Sequence, residues 1–248
     1  MLKFIEKNRE SNLLFWRFMI IIKDFLWTII FKIENFRKII FIGKNRLEII
    51  SYDCLISNTG YKSIPGQYIL IFIRENSKFI TGNVLEIEND KFSRYFKNQI
   101  KHLDILDIDE SNLQANIHAD LRTKKGLPKE KYDCIILTHV LDCIDDYESA
   151  LKNIKYMLKK DGVLLCTIPC LERVSNKTKT YFRFTQYGAS FLFNKLFGKG
   201  NFNISFYGNL YSTIMYLNGF KFSKLNLKYF KYNDLKFPIL IAIVARKK

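Results

Sequence analysis

Acidic side chains close several apolar runs of this sequence, and their positions indicate a binding chemistry. The residues that end or follow these runs are Glu86, Glu88, Asp107, Asp109, Asp120, Thr138 and His139. A carboxylate at the end of a second strand can accept hydrogen bonds from both hydroxyls of a ribose. One that follows a third strand can accept from the amino group of a purine. These acids therefore favour a site for an adenosine-like ligand.

Phosphate-binding motifs do not accompany these acids. The sequence contains neither GxxxxGK[ST] nor GxGxxG, and its one Gly-x-Gly, at 198–200, lies far from the first apolar run. A triphosphate or a dinucleotide pyrophosphate thus has no evident cradle. An adenosine that carries a cation instead, such as a sulfonium, suits an acidic pocket.

The apolar runs alternate with helical patterns in the part of the chain that carries the acids. Strand-like runs occupy 83–88, 102–109, 115–121, 132–140 and 162–169, and helical patterns occupy 92–99 and 147–158. Repeated strand–helix–strand units predict right-handed crossovers and a mainly parallel sheet with helices on both faces. Ligands of such sheets bind beyond the carboxyl ends of the strands, where these acids lie.

The charge is distributed unevenly along the 248 residues. Residues 1–84 hold 13 basic and 7 acidic side chains, 85–150 hold 9 and 14, and 151–248 hold 18 and 3. The basic last part favours an anionic partner, although a lysine-rich codon usage explains the excess equally well. No nucleic-acid-binding signature accompanies the charge, so we expect no nucleic-acid partner.

Cysteine and histidine spacing argues against metal ligation and disulfides. The five cysteines include no CxxC pair, and the three histidines are scattered singly. We therefore expect free thiols in a reducing cytoplasm and no metal. The most apolar stretch, 13–31, is interrupted by Arg17, Lys23 and Asp24, which disfavours a membrane span. The first residues also lack a signal-peptide layout.

Four segments together resemble the class I S-adenosylmethionine-dependent methyltransferases. They are GNVLEIENDKFSRYF (82–96), LDILDIDESNLQANIHADL (103–121), YDCIILTHVLDCIDDYESALKNIKYMLKKDGVLLCTIP (132–169) and YFRFT (181–185). The sequence is most similar to a subgroup seen alongside glycosyltransferases and surface-polysaccharide enzymes, whose hallmarks include RFT and a later YGN, here 207–209. The resemblance implies a Rossmann-like α/β fold with a mainly parallel seven-stranded sheet. It also implies S-adenosylmethionine as cofactor and S-adenosylhomocysteine as product.

Carried over by position, the resemblance implies a donor site at the acids described above. It would place Glu86 at the methionine end of the donor, Asp107 or Asp109 on the ribose diol, Asp120 and the Leu121 backbone at the adenine, and Thr138 in the pocket. The sequence departs from the family directly after the first strand. The family has glycine there, whereas this chain has Glu88, followed by Asn89. A side chain at this turn costs conformational strain or pocket space, so a reshaped, weakened or lost donor site is an open alternative.

The acceptor side needs a base and contacts to the acceptor. We expect His139 as the base for a hydroxyl acceptor, with Asp142 as the second candidate. Substrate contacts are expected from Tyr181, Arg183, Tyr207 and Asn209. For His139 the alternative is packing beside the sheet, and for Arg183 it is a structural ion pair. The alternative to acceptor contacts is again packing for Tyr181, Tyr207 and Asn209.

An N-terminal helical or irregular extension, residues 1–65, precedes the methyltransferase-like domain expected at 66–248. Its segment 12–42 is apolar on most faces, which indicates helices that pack on this domain or in a homodimer, or a peripheral membrane contact. The sequence thus predicts a cytoplasmic enzyme, at the inner membrane surface if the extension binds lipid. The expected reaction is O-methylation of a sugar or other anionic acceptor in surface-glycan assembly. The alternative is a degenerate methyltransferase fold that serves as a binding or scaffolding subunit.

Overall fold

Strands and helices alternate along the chain. The structure is a computed structural model that describes residues 63–172, 179–218 and 220–248. Over these residues the strands are β1 (Gly82–Ile87), β2 (Ile100–Asp107), β3 (Ile117–His118), β4 (Tyr132–Thr138), β5 (Leu158–Pro169), β6 (Phe202–Tyr207) and β7 (Leu240–Arg246). The helices are α1 (Ile64–Glu75), α2 (Tyr147–Met157), α3 (Gln186–Phe197), α4 (Leu210–Leu217) and α5 (Leu227–Phe230). Short 3-10 segments cover Ser77–Phe79, Ser93–Gln99, Leu141–Cys143 and Phe222–Lys224.

The strands form one seven-stranded sheet in the order β3-β2-β1-β4-β5-β7-β6. Strands β1 to β5 pair in parallel, whereas β7 runs antiparallel to both of its neighbours, β5 and β6. The chain order reverses at β1, so the carboxyl ends of β1 and β4 meet at the crevice where ligands bind in doubly wound sheets. The predicted Rossmann-like sheet is confirmed.

The central strands are buried on both faces. Four consecutive residues of β4, Cys134 to Leu137, have no exposed surface. Such a continuous apolar run is typical of a parallel strand that is covered on both sides. Helices α2 and α3 share one core cluster with β1, β4, β5 and β7, and α1 packs against β7 outside that cluster. This rigid sheet fixes the positions of the loops at its carboxyl edge.

Side-chain caps set the start of the main helices. Ser63 accepts a hydrogen bond from the Gly66 amide and Pro65 stands in the first turn of α1. Asp146 and Thr185 cap α2 and α3 in the same way. A capped N-terminus satisfies amides that the helix leaves unpaired, so these residues explain where each helix begins. Helix α1 starts two residues before the expected domain start at 66.

Three local expectations differ from the structure. The strand-like run expected from 162 starts earlier, because β5 begins directly after α2 at Leu158 and includes residues 159–161. The helical stretch after β1 is a 3-10 segment with a kink at Phe96 rather than a regular helix. The run 115–121 contributes only the two residues Ile117–His118 as strand. Each difference shortens or shifts an element without changing the order of the sheet.

The predictions for the N-terminal extension lie outside the described residues. These predictions concern helices at 12–42, a homodimer and a membrane contact, and all fall within 1–62. Among the residues that the structure describes, none belongs to a helix long and apolar enough to cross a bilayer.

Candidate active site

A cavity of about 370 Å³ opens at the carboxyl edge of the sheet. Its walls come from the ends of β1 and β2 and from the loops that follow β3 and β4. The lining residues include Ile87, Leu106, Asp107, Leu121, Val140 and Tyr181. The volume of the cavity, its apolar walls and its few polar groups are typical of a site for a small molecule. The position is the one expected for a ligand of this fold.

The turn after β1 keeps a glycine-like backbone although its residue is Glu88. Glu88 has φ +74°, in the left-handed region that glycine adopts without strain. Its side chain is exposed and is not among the cavity-lining residues, so it costs strain rather than pocket space. Asn89 accepts a hydrogen bond from the Lys91 amide and supports the same turn. The divergent motif therefore retains the shape of the turn.

Glu86 holds the segment that follows this turn. Its two carboxylate oxygens accept hydrogen bonds from the Phe92 amide at 2.9 Å and the Ser93 amide at 2.8 Å. Burial raises the pKa of Glu86 to about 7, although these hydrogen bonds partly oppose the rise. Both carboxylate oxygens of Glu86 are thus engaged by backbone amides, and Glu86 is not among the residues that line the cavity.

Asp107 is the carboxylate that the cavity contains at the end of β2. Its Oδ1 accepts from the Asp109 amide at 3.1 Å and its Oδ2 accepts from Asn112 Nδ2 at 2.7 Å. Asp109 is exposed, accepts from the amide and hydroxyl of Ser111, and is not among the lining residues. Of the two candidates for a ribose diol, the structure therefore brings Asp107 to the cavity.

Asp120 reaches the cavity but already has a partner. Arg122 donates to Oδ2 from Nη2 at 2.8 Å and from Nε at 2.9 Å, and Nε also donates to Oδ1 at 3.1 Å. This pairing lowers the pKa of Asp120. Arg122 also contacts Asp145 at 3.1 Å, so it bridges the loops after β3 and β4. Leu121 is buried against the cavity, and its carbonyl accepts from Asn153 Nδ2. The carboxylate that the resemblance assigns to the adenine is thus paired with Arg122, and the sequence did not predict this ion pair.

His139 follows β4 in a buried polar cluster beside the cavity. Its backbone has φ +54° and its amide donates to the Thr167 carbonyl at 2.9 Å. Nδ1 lies 3.8 Å from Glu172 Oε2, and Nε2 is buried with no hydrogen-bond partner among the described residues. Burial, with help from Lys91 and Arg183, lowers the pKa of His139 to about 4. The imidazole is neutral at pH 7.

Asp142 completes this cluster. Its side chain is 2% exposed, and Oδ2 lies 3.8 Å from Arg183 Nη1. Oδ1 is buried and has no hydrogen-bond partner in the described part of the chain. Burial raises the pKa of Asp142, and Arg183 partly offsets the rise. The Asp142 carbonyl also accepts from the Tyr181 amide, which links the cluster to the cavity wall.

Arg183 and Thr138 have mainly structural surroundings. Arg183 donates to the carbonyls of Phe182 and Glu172 and faces Asp142, which corresponds to the ion-pair alternative. Thr138 is the last residue of β4 and pairs with Thr167 of β5, outside the cavity lining. Both contribute to the walls around the site rather than to its open surface.

Tyr207 and Asn209 have structural contacts, as in the packing alternative. The Tyr207 hydroxyl donates to Glu75 and its ring packs on Tyr68 of α1. Asn209 caps α4 in a capping box with Ser212. Gly208 between them has φ +124°, and a Cβ there would lie 2.6 Å from the Ile239 amide nitrogen. Residues 207–209 therefore form a tight corner that joins β6 to α4, and their role in acceptor binding stays a prediction.

Four residues at or beside the site were not predicted from the sequence. They are Asn112, Arg122, Glu172 and Lys179. Arg122 stands two residues after Asp120, and that spacing was a usable signal for an ion pair. The other three depend on loop conformation and carry no motif. Among the described residues, no group of histidine, cysteine or acidic side chains could hold a metal ion.

The cavity fits the nucleoside part of an adenosyl ligand. Asp107 offers oxygens to a diol, and apolar side chains from three loops flank the space where a base can lie. The buried Nε2 of His139 and Oδ1 of Asp142 lie beside the cavity and lack partners in the part of the structure that is described. A Rossmann-like sheet with such a site defines a nucleoside-binding α/β protein.

Comparison with known proteins narrows this class. A family model described as methyltransferase domain matches residues 45–201, which is more than half of the chain, and the chain belongs to this family. The protein is therefore an enzyme of the methyltransferase class, as expected. A search of curated proteins finds no match to the chain.

Two solved structures show the same fold at low sequence identity. A SAM-dependent methyltransferase from Archaeoglobus fulgidus is 17% identical, with a TM-score of 0.50 over 73% of this chain and 94% of that chain. An S-adenosylmethionine-dependent methyltransferase from Mesorhizobium loti is 12% identical, with a TM-score of 0.50 over 75% of this chain and 100% of that chain. At such identity the likeness concerns the fold alone.

Proposed function

We propose that the protein transfers a methyl group from S-adenosylmethionine to an oxygen of an anionic sugar or related acceptor. The observation that carries the proposal is the junction of two features at one sheet edge. The cavity holds Asp107, and the buried cluster of His139 and Asp142 adjoins it through Tyr181. One feature suits an adenosyl donor and the other a hydroxyl that must lose its proton.

When bound, S-adenosylmethionine would supply a methyl group already activated by its sulfonium, and S-adenosylhomocysteine would remain. The protein has two tasks. Asp107 accepts hydrogen bonds from the ribose diol and fixes the donor, and the loops after β4 and β5 hold the acceptor oxygen in line. Positioning of this kind supplies a large part of the acceleration in a displacement reaction.

The acceptor proton goes to a side chain of the buried cluster. Asp142 is the better base, because burial raises the pKa of its carboxyl group and Oδ1 lacks a partner in the described residues. His139 is the weaker base, because burial lowers its pKa to about 4. This order reverses the expectation from the sequence. A base is most effective when its pKa approaches the working pH.

Lys179 supports the anionic character of the acceptor. It lines the cavity, and no acidic residue of the described ranges forms an ion pair with it. Arg122 and Arg183 are already engaged with acids. A lysine ammonium at the mouth of a site attracts a carboxylate or phosphate. The role in surface-glycan assembly rests on the resemblance to that subgroup and belongs to the same proposal.

A second candidate is a degenerate methyltransferase fold that binds or scaffolds. The ion pair between Asp120 and Arg122 favours it, because the carboxylate expected at the adenine is no longer free. The retained turn at Glu88 favours the enzyme, because the family backbone is preserved despite the side chain.

The test is methyl transfer from S-adenosylmethionine with a labelled methyl group. Neutral monosaccharides, uronic acids and sugar phosphates serve as acceptors, and mass spectrometry locates the label. The proposal predicts label on a hydroxyl of the anionic acceptors and a loss of at least about 100-fold in rate for Asp142→Asn. Donor binding without transfer to any of these acceptors would reject the anionic sugar as the acceptor. Absence of donor binding would reject the enzyme and favour the scaffold.

A further inference from the structure

We propose that Asn112 is a positioning residue of the donor site. It holds the Glu88 turn and the ribose-binding carboxylate of Asp107 together, and it thereby compensates for the absence of glycine at this turn. Its Nδ2 donates to the Glu88 carbonyl at 2.6 Å and to Asp107 Oδ2 at 2.7 Å. One amide group thus joins the loop after β1 to the end of β2. The inference rests on the proposed function, since the carboxylate it orients is the one assigned to the ribose.

The Asn112 side chain is itself fixed. Its Oδ1 accepts from the Gln114 amide at 3.0 Å and its backbone amide donates to the Asp109 carbonyl at 3.1 Å. Because Oδ1 is engaged as an acceptor, the NH₂ group must face Glu88 and Asp107. Both of its protons then have a partner. Asn112 is therefore a rigid bracket rather than a loosely placed surface residue.

The turn needs this support because Glu88 is unfavourable in its left-handed backbone conformation. Glu88 has φ +74°, which residues with a Cβ adopt only when their surroundings hold them. Its amide donates to the Leu106 carbonyl at 2.8 Å, and its carbonyl is held by Asn112. The two peptide groups that define the left-handed conformation are thus tied to β2 and to the loop that follows it. A glycine would not require this support.

The same bracket sets the direction of the Asp107 carboxylate. Asn112 occupies one lone pair of Oδ2, and the Asp109 amide occupies one of Oδ1. Each oxygen keeps a further lone pair for a hydroxyl donor. The carboxylate is therefore held with both oxygens ready for vicinal hydroxyls, which selects a ribose over a 2′-deoxyribose.

Calorimetry and thermal unfolding of the full chain test this inference. The variants are Asn112→Ala, Glu88→Gly and the double variant, and the probes are 5′-methylthioadenosine and its 2′-deoxy analogue. Asn116→Ala is the matched control, because Asn116 makes comparable bonds to the Ile105 amide and Asp104 outside the site. Chemical unfolding at one pH verifies that each variant is folded before titration.

Two readouts separate positioning from a merely structural role. Asn112→Ala should reduce the preference for the ribose over the deoxyribose probe by about tenfold, whereas Asn116→Ala should keep the wild-type preference. Asn112→Ala should also lower the melting temperature less in the Glu88→Gly background than in the wild type. An unchanged ribose preference would overturn the positioning role. Equal melting-temperature losses in both backgrounds would overturn the support of the Glu88 turn.

Failure of the proposed function gives a different result. In that case the wild type binds neither probe, while the coupling between Asn112 and Glu88 in thermal unfolding still reports on the bracket. If the wild type binds both probes and the preference is unaffected by Asn112→Ala, the donor site stands and the positioning role of Asn112 is rejected.

Discussion

Replacement of His139 by asparagine should remove a large acid-sensitive contribution to stability. The His139 side chain is 19% exposed with its Nε2 buried, and desolvation together with the charges of Lys91 and Arg183 lowers its pKa from 6.5 to about 4. Glu172 and Asp142 are the acids of the same cluster. Asparagine is the suitable replacement, because it tolerates the left-handed φ of +54° at this position better than other residues with a Cβ.

The size of the effect follows from the linkage between proton binding and folding. Between pH 6.5 and 4 the unfolded chain binds a proton at His139 that the folded protein does not bind. The stabilisation is therefore present above pH 6.5 and is lost as the pH falls towards the folded pKa. At 1.36 kcal/mol per pKa unit, the complete loss is about 3 kcal/mol.

Denaturant unfolding of both proteins from pH 7.5 to pH 4 measures this quantity. The free energy of unfolding of the wild type, minus that of His139→Asn, should fall by about 3 kcal/mol over this range. The raised pKa values of Glu86, Asp142 and Glu172 are present in both proteins, so their effects largely cancel when the two free energies of unfolding are subtracted. The exposed His118, changed to asparagine in the same way, provides the baseline. If the free-energy difference for His139→Asn changes with pH no more than the difference for His118→Asn, the claim that His139 is a buried neutral imidazole is refuted.

Three further changes probe other parts of the structure. Gly208→Ala should lower the free energy of unfolding by more than about 2 kcal/mol in denaturant titrations, because φ is +124° and the new Cβ meets the Ile239 amide. A neutral effect would contradict the tight packing of Gly208 against Ile239. Arg122→Gln frees Asp120 and should tighten S-adenosylhomocysteine binding severalfold in calorimetry, and weaker binding would show that Arg122 itself contacts the ligand. Lys179→Ala should raise KM for an anionic acceptor by about fivefold at low salt, with an unchanged KM for the donor as the control.

Strands β1 to β5 were predictable because each is a local apolar run. Runs such as 132–138 are long enough to be buried on both faces, and the resemblance implies that they join a mainly parallel, seven-stranded sheet. The acids at the strand ends follow from the same pattern, so Glu86 and Asp107 were found at the edge of the sheet. The 3-10 segment Ser93–Gln99 was not distinguishable from a helix, because both patterns bury residues three or four apart.

The site was harder to predict because its details depend on tertiary contacts. The pairing of Asp120 with Arg122, the bracket at Asn112 and the desolvation of His139 arise from how loops fold against one another. The packing of residues 207–209 could not be predicted for a related reason. A short motif can be required by a tight corner as well as by a ligand, and the approach of Gly208 to Ile239 appears only in the folded chain.

Titration of the wild type and of Asp107→Ala with S-adenosylmethionine tests whether Asp107 belongs to the donor site. We expect heat with a stoichiometry of one ligand per chain for the wild type, because the cavity and its carboxylate are formed in the protein. Loss of a charged hydrogen-bond acceptor in Asp107→Ala should weaken binding by about tenfold or more. No heat from the wild type at millimolar ligand, or equal affinity in the two proteins, would contradict the assignment of the donor site.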